Sequence, residues 1–233
     1  MNRIVDVFNQ RAVLLPVVHP ISRQAAIDAV RSAHTLGIKG VFLINQPMSE
    51  SELFQLVREV RQQFPSLWLG LNLLGRTPTA ALSATLDEPH AIDGLWTDNA
   101  GIEARQVRPH ADSFVSARIA VTWRGLYFGG VAFKYQPEIA DGDLEAVAGM
   151  AAPYMDVLCT SGPGTGQAAD VAKIRALREG LGDTAMAIAS GVTAENVQMY
   201  LPYAQAFLVG TGIEKAFGVL DPAKIEALLR AME

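Results

Sequence analysis

The chain has one cysteine, Cys159, in 233 residues. A single thiol excludes an intrachain disulfide and any thiolate zinc cluster, and it favours a reducing compartment. No apolar run approaches the roughly 20 residues a membrane helix needs. The apolar stretch Ala12–Val18 is short, is broken by Pro16 and is explained by a first strand, so a cytoplasmic protein without a membrane partner is expected. Lysine and arginine form no cluster and the formal net charge is −5, which argues against nucleic acid as a partner. The four histidines form no HxH or HExxH motif, so a metallohydrolase is not expected. The turn after the first apolar run reads HPISRQ and has no glycine, where a doubly wound dinucleotide-binding sheet would carry its fingerprint.

Half the residues are apolar, enough for a large core, and no linker or second composition zone divides residues 1–233. The apolar runs Val13–Val18, Gly40–Ile44, Leu67–Leu71 and Gly94–Thr97 begin at 13, 40, 67 and 94, a constant interval of 27 residues. Runs of Val, Ile and Leu without alternation suit strands buried on both faces. Four more lie further along the chain: Tyr127–Phe133, Met155–Cys159, Met186–Ala189 and Ala206–Val209.

Helical patterns lie between them. Ser49 and Glu52 stand in capping-box relation before a stripe of Leu53, Leu56, Val57, Val60 and Phe64. Gly37 ends the first helix, Thr77 and Pro78 open the third, and Asp141 caps the one before the sixth strand. Asp221 and Pro222 open the last. A further helix is expected over Ile102–Val107, while Phe114–Trp123 has no assignable period and reads as an added strand or flap. Eight βα units in one domain predict a (β/α)8 barrel, a fold that commonly takes about 250 residues.

Function in such a barrel sits at the C-terminal ends of the strands. Those ends carry His19, Asn45, Asn72, Asp98 with Asn99, Lys134, Thr160 with Ser161, Ser190, and Gly210 with Thr211. The last three strands run into the glycine-bearing turns SGPGTG, SGVT and GTG. Backbone N–H groups in such turns, at the start of helices, suit a phosphate. The phosphate candidates are Gly162, Gly164, Thr165, Gly166, Ser190, Gly191, Thr193, Gly210, Thr211 and Gly212, with Gly191 and Thr193 at the start of a seventh helix. The plainer reading is that these glycines only make tight turns.

Asp98 is the candidate general base. Lys134 reads as a charged binder, as a Schiff-base nucleophile, or as a salt-bridge partner of Asp98. His19 and Asn72 read as orienting or acid–base groups, and Cys159 as a small core residue. Mg2+ on Asp98 with the neighbouring amides is the one cofactor the pattern leaves open. A homo-oligomer is compatible with all of this.

The segments VVHP, GLNLL, TSGPGTG, SGVTAENV and VGTGIEK together resemble the BtpA/SgcQ family of ribulose-phosphate-binding barrels. The resemblance implies a (β/α)8 fold with a phosphate site. It maps family motif positions onto His19, Asn72, Lys134, Ser161, Gly162, Thr165, Gly166, Ser190, Gly191, Asn196, Gly210, Thr211 and Lys215. Ile44 stands where a glutamate often precedes the asparagine, so a role for that glutamate is not carried over. The expected function is an enzyme of phosphorylated sugar or phosphoribosyl/nucleotide-type metabolism, of lyase, isomerase or transfer chemistry. The alternative is a non-catalytic barrel that binds a phosphorylated metabolite as a sensor or assembly factor.

Overall fold

A computed structural model describes residues 3–88, 91–104 and 106–233. Eight parallel strands close into a barrel: β1 (Val13–Val18), β2 (Gly40–Ile44), β3 (Trp68–Asn72), β4 (Gly94–Thr97), β5 (Leu126–Gly130), β6 (Val157–Thr160), β7 (Ala185–Ala189) and β8 (Ala206–Val209). The ring closes where Val13 of β1 pairs with Ala206 of β8. Every strand residue except Pro16 is hydrophobic, glycine, or a polar group at a strand end, and all are buried. This is what continuous apolar runs predict.

The helices are α1 (Arg3–Phe8), α2 (Arg23–Thr35), α3 (Glu50–Gln63), α4 (Pro78–Thr85), α5 (Pro109–Ala120), α6 (Leu144–Ala151), α7 (Val171–Gly180) and α8 (Pro222–Ala231). The Ser49–Glu52 capping box is fully formed, and the hydroxyl of Thr77 accepts from the Ala80 amide. Asp221 likewise caps α8 through the Ala223 amide. Helix α1 closes the N-terminal end of the barrel, where Phe8 packs edge-on against Trp68 at 5.3 Å.

The barrel interior is divided. On β2 to β5, Phe42 meets Trp68, Trp96 and Phe128 edge-to-face at 5.2, 5.7 and 5.1 Å. On β7 the inward positions are Ala185, Ala187 and Ala189, and on β8 they are Ala206 and Leu208. Gly70 is required beside the large rings, because a Cβ there would lie 2.4 Å from the Phe42 ring. Large side chains on one wall face smaller ones on the other, which fills the bore to interior density.

Four expectations are corrected. Ile102–Val107 is not a helix but a hairpin, with Ile102 paired to Val107 and Glu103 to Gln106. The segment without a readable period is α5. It buries only Ala111 and Phe114, so it carries no apolar stripe, and Phe114 anchors it on Tyr127 at 4.1 Å. Asp141 makes no cap bond, because a 3-10 turn over Asp141–Asp143 precedes α6. The seventh unit has no α-helix, only a 3-10 turn over Val197–Met199. Asn196 is turned inward on the Thr193 amide and the Gly191 carbonyl, and Pro202 comes soon after.

Candidate active site

Residues two apart along a strand share a face, so the alternation that points Val17, Trp96 and Cys159 into the bore carries His19, Asp98 and Ser161 to its mouth. Asn72 ends β3 on the same inward face as Trp68 and Gly70. Its side chain is 1% exposed and its Nδ2 donates to Asp98 Oδ1 at 3.0 Å. Burial pushes the Asp98 carboxyl above the usual carboxylate range, against the opposing pull of the Asn72 bond and of the Lys134 charge. Gln136 donates to the Asp98 carbonyl at 2.5 Å and fixes the loop from which the carboxylate projects. Asn45 is used locally, with Oδ1 accepting from the Leu74 amide, and Asn99 caps its own turn at Gly101.

Lys134 lies in the loop after β5, four residues past Gly130, rather than at the strand end. Its amide donates to Ser161 Oγ at 2.8 Å and its Nζ to Thr165 Oγ1 at 3.2 Å. The structure therefore joins Asn72, Asp98 and the Lys134 charge at the β3–β5 side of the mouth, with Lys134 also clasping the loop after β6. The salt bridge between Lys134 and Asp98 is not formed; their interaction is electrostatic, at longer range.

His19 stands apart at β1, beside β8. Its Nδ1 is 3.1 Å from Glu214 Oε1, and both side chains are largely buried. An Nδ1–H donated to that carboxylate leaves Nε2 as the basic nitrogen. Phe217 packs on the imidazole at 4.8 Å. Glu214 opens the hairpin Glu214–Ala216/Val219–Leu220 that comes after β8, and its carboxylate also accepts from the Gly218 amide.

The glycine turns interlock. A Cβ on Gly162 or on Gly191 would lie 2.1 Å from the Gln167 carbonyl, so both glycines let the loop after β6 fold down onto its neighbours. Gly191 also sits at φ 69°, and Ser190 at φ 96°. Ser190 Oγ accepts from the Gly166 amide and donates to the Gly164 carbonyl, both at 3.0 Å, tying the β6 and β7 loops together. The Thr193 amide is taken by Asn196 Oδ1. Among the described residues the Gly191 N–H makes no hydrogen bond. Gly210 lies against the His19 ring, Thr211 and Gly212 fall in the 3-10 turn Thr211–Ile213, and a Cβ added to Gly166 would lie 3.5 Å from Thr211 Oγ1. The phosphate candidates thus share one rim, although Gly166, Ser190 and Thr193 already have protein partners.

Cys159 is fully buried in the bore and its thiol is pushed well up by burial, as a core residue requires. No group of three or more His, Cys, Asp or Glu side chains that could hold a metal ion gathers among the described residues. No helix among the described residues is long and apolar enough to cross a membrane.

Glu214, Gln136 and Lys173 are site residues that the sequence did not single out. Lys173, in the first turn of α7, donates to the carbonyls of Ala132 and Ser161. Glu214 carried one signal: it stands directly after the GTGI turn. Lys173 carried none, since a lysine in an amphipathic helix looks like its solvent face.

Phosphoribosyl anthranilate isomerase from Thermus thermophilus superposes with a TM-score of 0.65 at 15% identity, over 94% of this chain and 98% of that one. The enzyme from Thermotoga maritima gives 0.62 at 17%, over 95% and 98%. A phosphoribosyl anthranilate isomerase in complex with reduced 1-(o-carboxyphenylamino)-1-deoxyribulose 5-phosphate gives 0.63 at 14%, over 95% and 98%. At this identity the likeness shows the (β/α)8 fold. No curated protein matches the chain. The BtpA family model matches residues 95–233, from β4 through the glycine turns to the end of α8, and the chain belongs to the BtpA family.

Proposed function

We propose that this barrel is an enzyme that moves a proton on a phosphorylated sugar or phosphoribosyl-type ligand. Asp98 is its acid–base group and Lys134 stabilises the charge that develops. His19 and Asn72 orient the ligand, and the turns at Gly162–Gly166, Ser190–Thr193 and Gly210–Gly212 grip the phosphate. The observation that carries this reading is the buried Asp98 carboxyl, raised by desolvation while hydrogen-bonded to Asn72 and within the field of Lys134. A carboxyl raised by burial and held by a neutral amide, with a cation at longer range, is suited to take a proton and return it.

The unpaired Gly191 amide supports an anion at the rim. A phosphate there would compete with Ser190 Oγ for the Gly166 N–H, while the Ser190 hydroxyl stays donated to the Gly164 carbonyl. Hydrogen bonds to a charged group contribute roughly 1.5–3 kcal/mol each, and association costs roughly 4–15 kcal/mol. A few such bonds anchor the ligand without holding it tightly, so the remainder of the affinity falls to the Asp98 side.

Thermal denaturation with ribose 5-phosphate, other phosphorylated sugars and their unphosphorylated counterparts tests the reading. A phosphorylated ligand at a hundredfold excess over Kd adds about 2.7 kcal/mol, which is about 5–10 °C in Tm for a chain of this size. With the turnover substrate in hand, Asp98→Asn lowers kcat by about 10²–10⁴-fold. No shift with any phosphorylated sugar at millimolar concentration would remove the grip. Full turnover by Asp98→Asn would remove the assigned base.

A further inference from the structure

A cavity of about 470 Å3 opens beside the barrel mouth, between the loop after β5, the SGP turn after β6 and the start of α7. Lys173 lines it, half-buried, together with Lys134, Ser161 and Asp170. The polar partners of Lys173 Nζ are two backbone carbonyls, Ala132 and Ser161, the second at 2.8 Å. No carboxylate is bonded to it among the described residues. Two of the Nζ hydrogen-bonding directions are thus taken by backbone carbonyls, and the third is a free N–H in the ammonium or the nitrogen lone pair in the neutral amine.

We propose that Lys173 is a carbonyl-reactive amine and that the cavity beside it takes an aldehyde or ketone. The Nζ lone pair adds to the carbonyl carbon to give a carbinolamine. Its hydroxyl leaves as water with one proton from solvent, forming a protonated imine. Nζ loses one of its two N–H bonds in the process, and the hydrogen bonds still close. The surviving N–H serves the Ser161 carbonyl, while the Ala132 carbonyl keeps the Thr160 hydroxyl that already donates to it at 3.1 Å. A lysine held by a carboxylate would have no such exchange open to it.

Burial moves the group in the same direction, pulling the Lys173 amine down to about 8 against the opposing charge of Asp170. About a tenth of it is then neutral at pH 7, against less than about a thousandth for an ordinary lysine. The charged and titratable groups that line the cavity with it are Asp170 at its own helix cap, Lys134, Tyr135 and Glu138 from the loop after β5, and Asp141 ahead of α6. The proposal does not depend on a phosphorylated ligand, and it differs from the reading of Lys134 as the Schiff-base residue.

Brief exposure of the wild-type protein to glyceraldehyde and cyanoborohydride at pH 7, with peptide mapping afterwards, tests it without any variant. Lys173 is expected to be alkylated at least about tenfold faster than Lys39, Lys134, Lys215 or Lys224, its excess neutral fraction outweighing its lower basicity. Its rate should level off above about pH 8. Lys173→Arg, which keeps the charge and the donors, should lose that adduct and leave the others unchanged. Even labelling of all five lysines, or preference for Lys134, would overturn the proposal. Repeating the mapping with glyceraldehyde 3-phosphate separates the two readings: equal rates with both aldehydes leave Lys173 standing and count against the phosphate grip.

Discussion

The two halves of the barrel mouth are built from different materials. From β3 to β5 the chemistry is in side chains: Asn72, Asp98 and Lys134 stand above an aromatic wall of Phe42, Trp68, Trp96 and Phe128. From β6 to β8 it is in the backbone, where glycine turns lock onto one another above a wall of smaller, non-aromatic side chains, Val157, Cys159, Ala187 and Ala189 among them. The difference has a physical basis. A carboxyl changes its proton affinity when its surroundings are dry, and bulky rings below Asp98 keep water out. An anion cradle needs peptide N–H groups at close quarters, and only residues without a Cβ let three loops approach so nearly.

That contrast can be broken from either side. Phe42→Ala should have the largest effect, because its ring is fully buried and touches three other aromatic rings. A loss of about 3–5 kcal/mol is expected in denaturant unfolding. A much smaller loss would mean that the aromatic wall collapses into the space and is not a fixed packing unit. Gly191→Ala attacks the other half. It meets both a left-handed backbone at φ 69° and the Gln167 carbonyl at 2.1 Å, and about 2–3 kcal/mol of destabilisation is expected. If the variant is as stable as the wild type, the interlock of the β6 and β7 loops is not what the glycine provides.

The smallest effect sharpens the side-chain half. The Asp98 carboxyl is raised in the folded state, so the fold binds its proton more tightly than the unfolded chain does. Its contribution to stability is therefore fully present below the unfolded value near 3.8 and is lost as pH rises through the raised folded value. The partly exposed carboxylates of Glu50 and Glu103 are lowered by Arg76 and Arg108 and act in the opposite sense, so the test is a difference. Unfolding free energies of wild type and Asp98→Asn, measured from pH 3 to 8, should show Asn gaining on Asp as pH rises. A flat difference would mean that Asp98 is solvated.

Much of this molecule is legible in one dimension where a single physical rule dominates. Strands buried on both faces must be apolar throughout, and caps need a hydroxyl or carboxylate at a fixed offset. The eight strands and the Ser49, Thr77 and Asp221 caps are accordingly found close to where the residues place them, except that the fifth strand ends at Gly130 and not at Phe133. The segment from Ile102 to Ala120 fails the same reading. Its hairpin is two residues per strand and its helix rests on one phenylalanine, so neither leaves a period to detect. The seventh unit looks helical by composition, yet the Asn196 side chain competes for its backbone groups and leaves a 3-10 turn.

The sequence by itself determined the barrel, the strand ends at which chemistry could sit, and the glycine turns on three consecutive strands, because these stem from periodicity and backbone sterics. Only the tertiary structure decided which polar ends meet. It set Asn72 against Asp98, gave His19 its partner Glu214 from the far end of the chain, and buried Lys173 against two carbonyls. The reason is that a side chain's proton affinity depends on charges and dehydration supplied by residues distant in sequence. Those neighbours exist only once the ring of strands has closed.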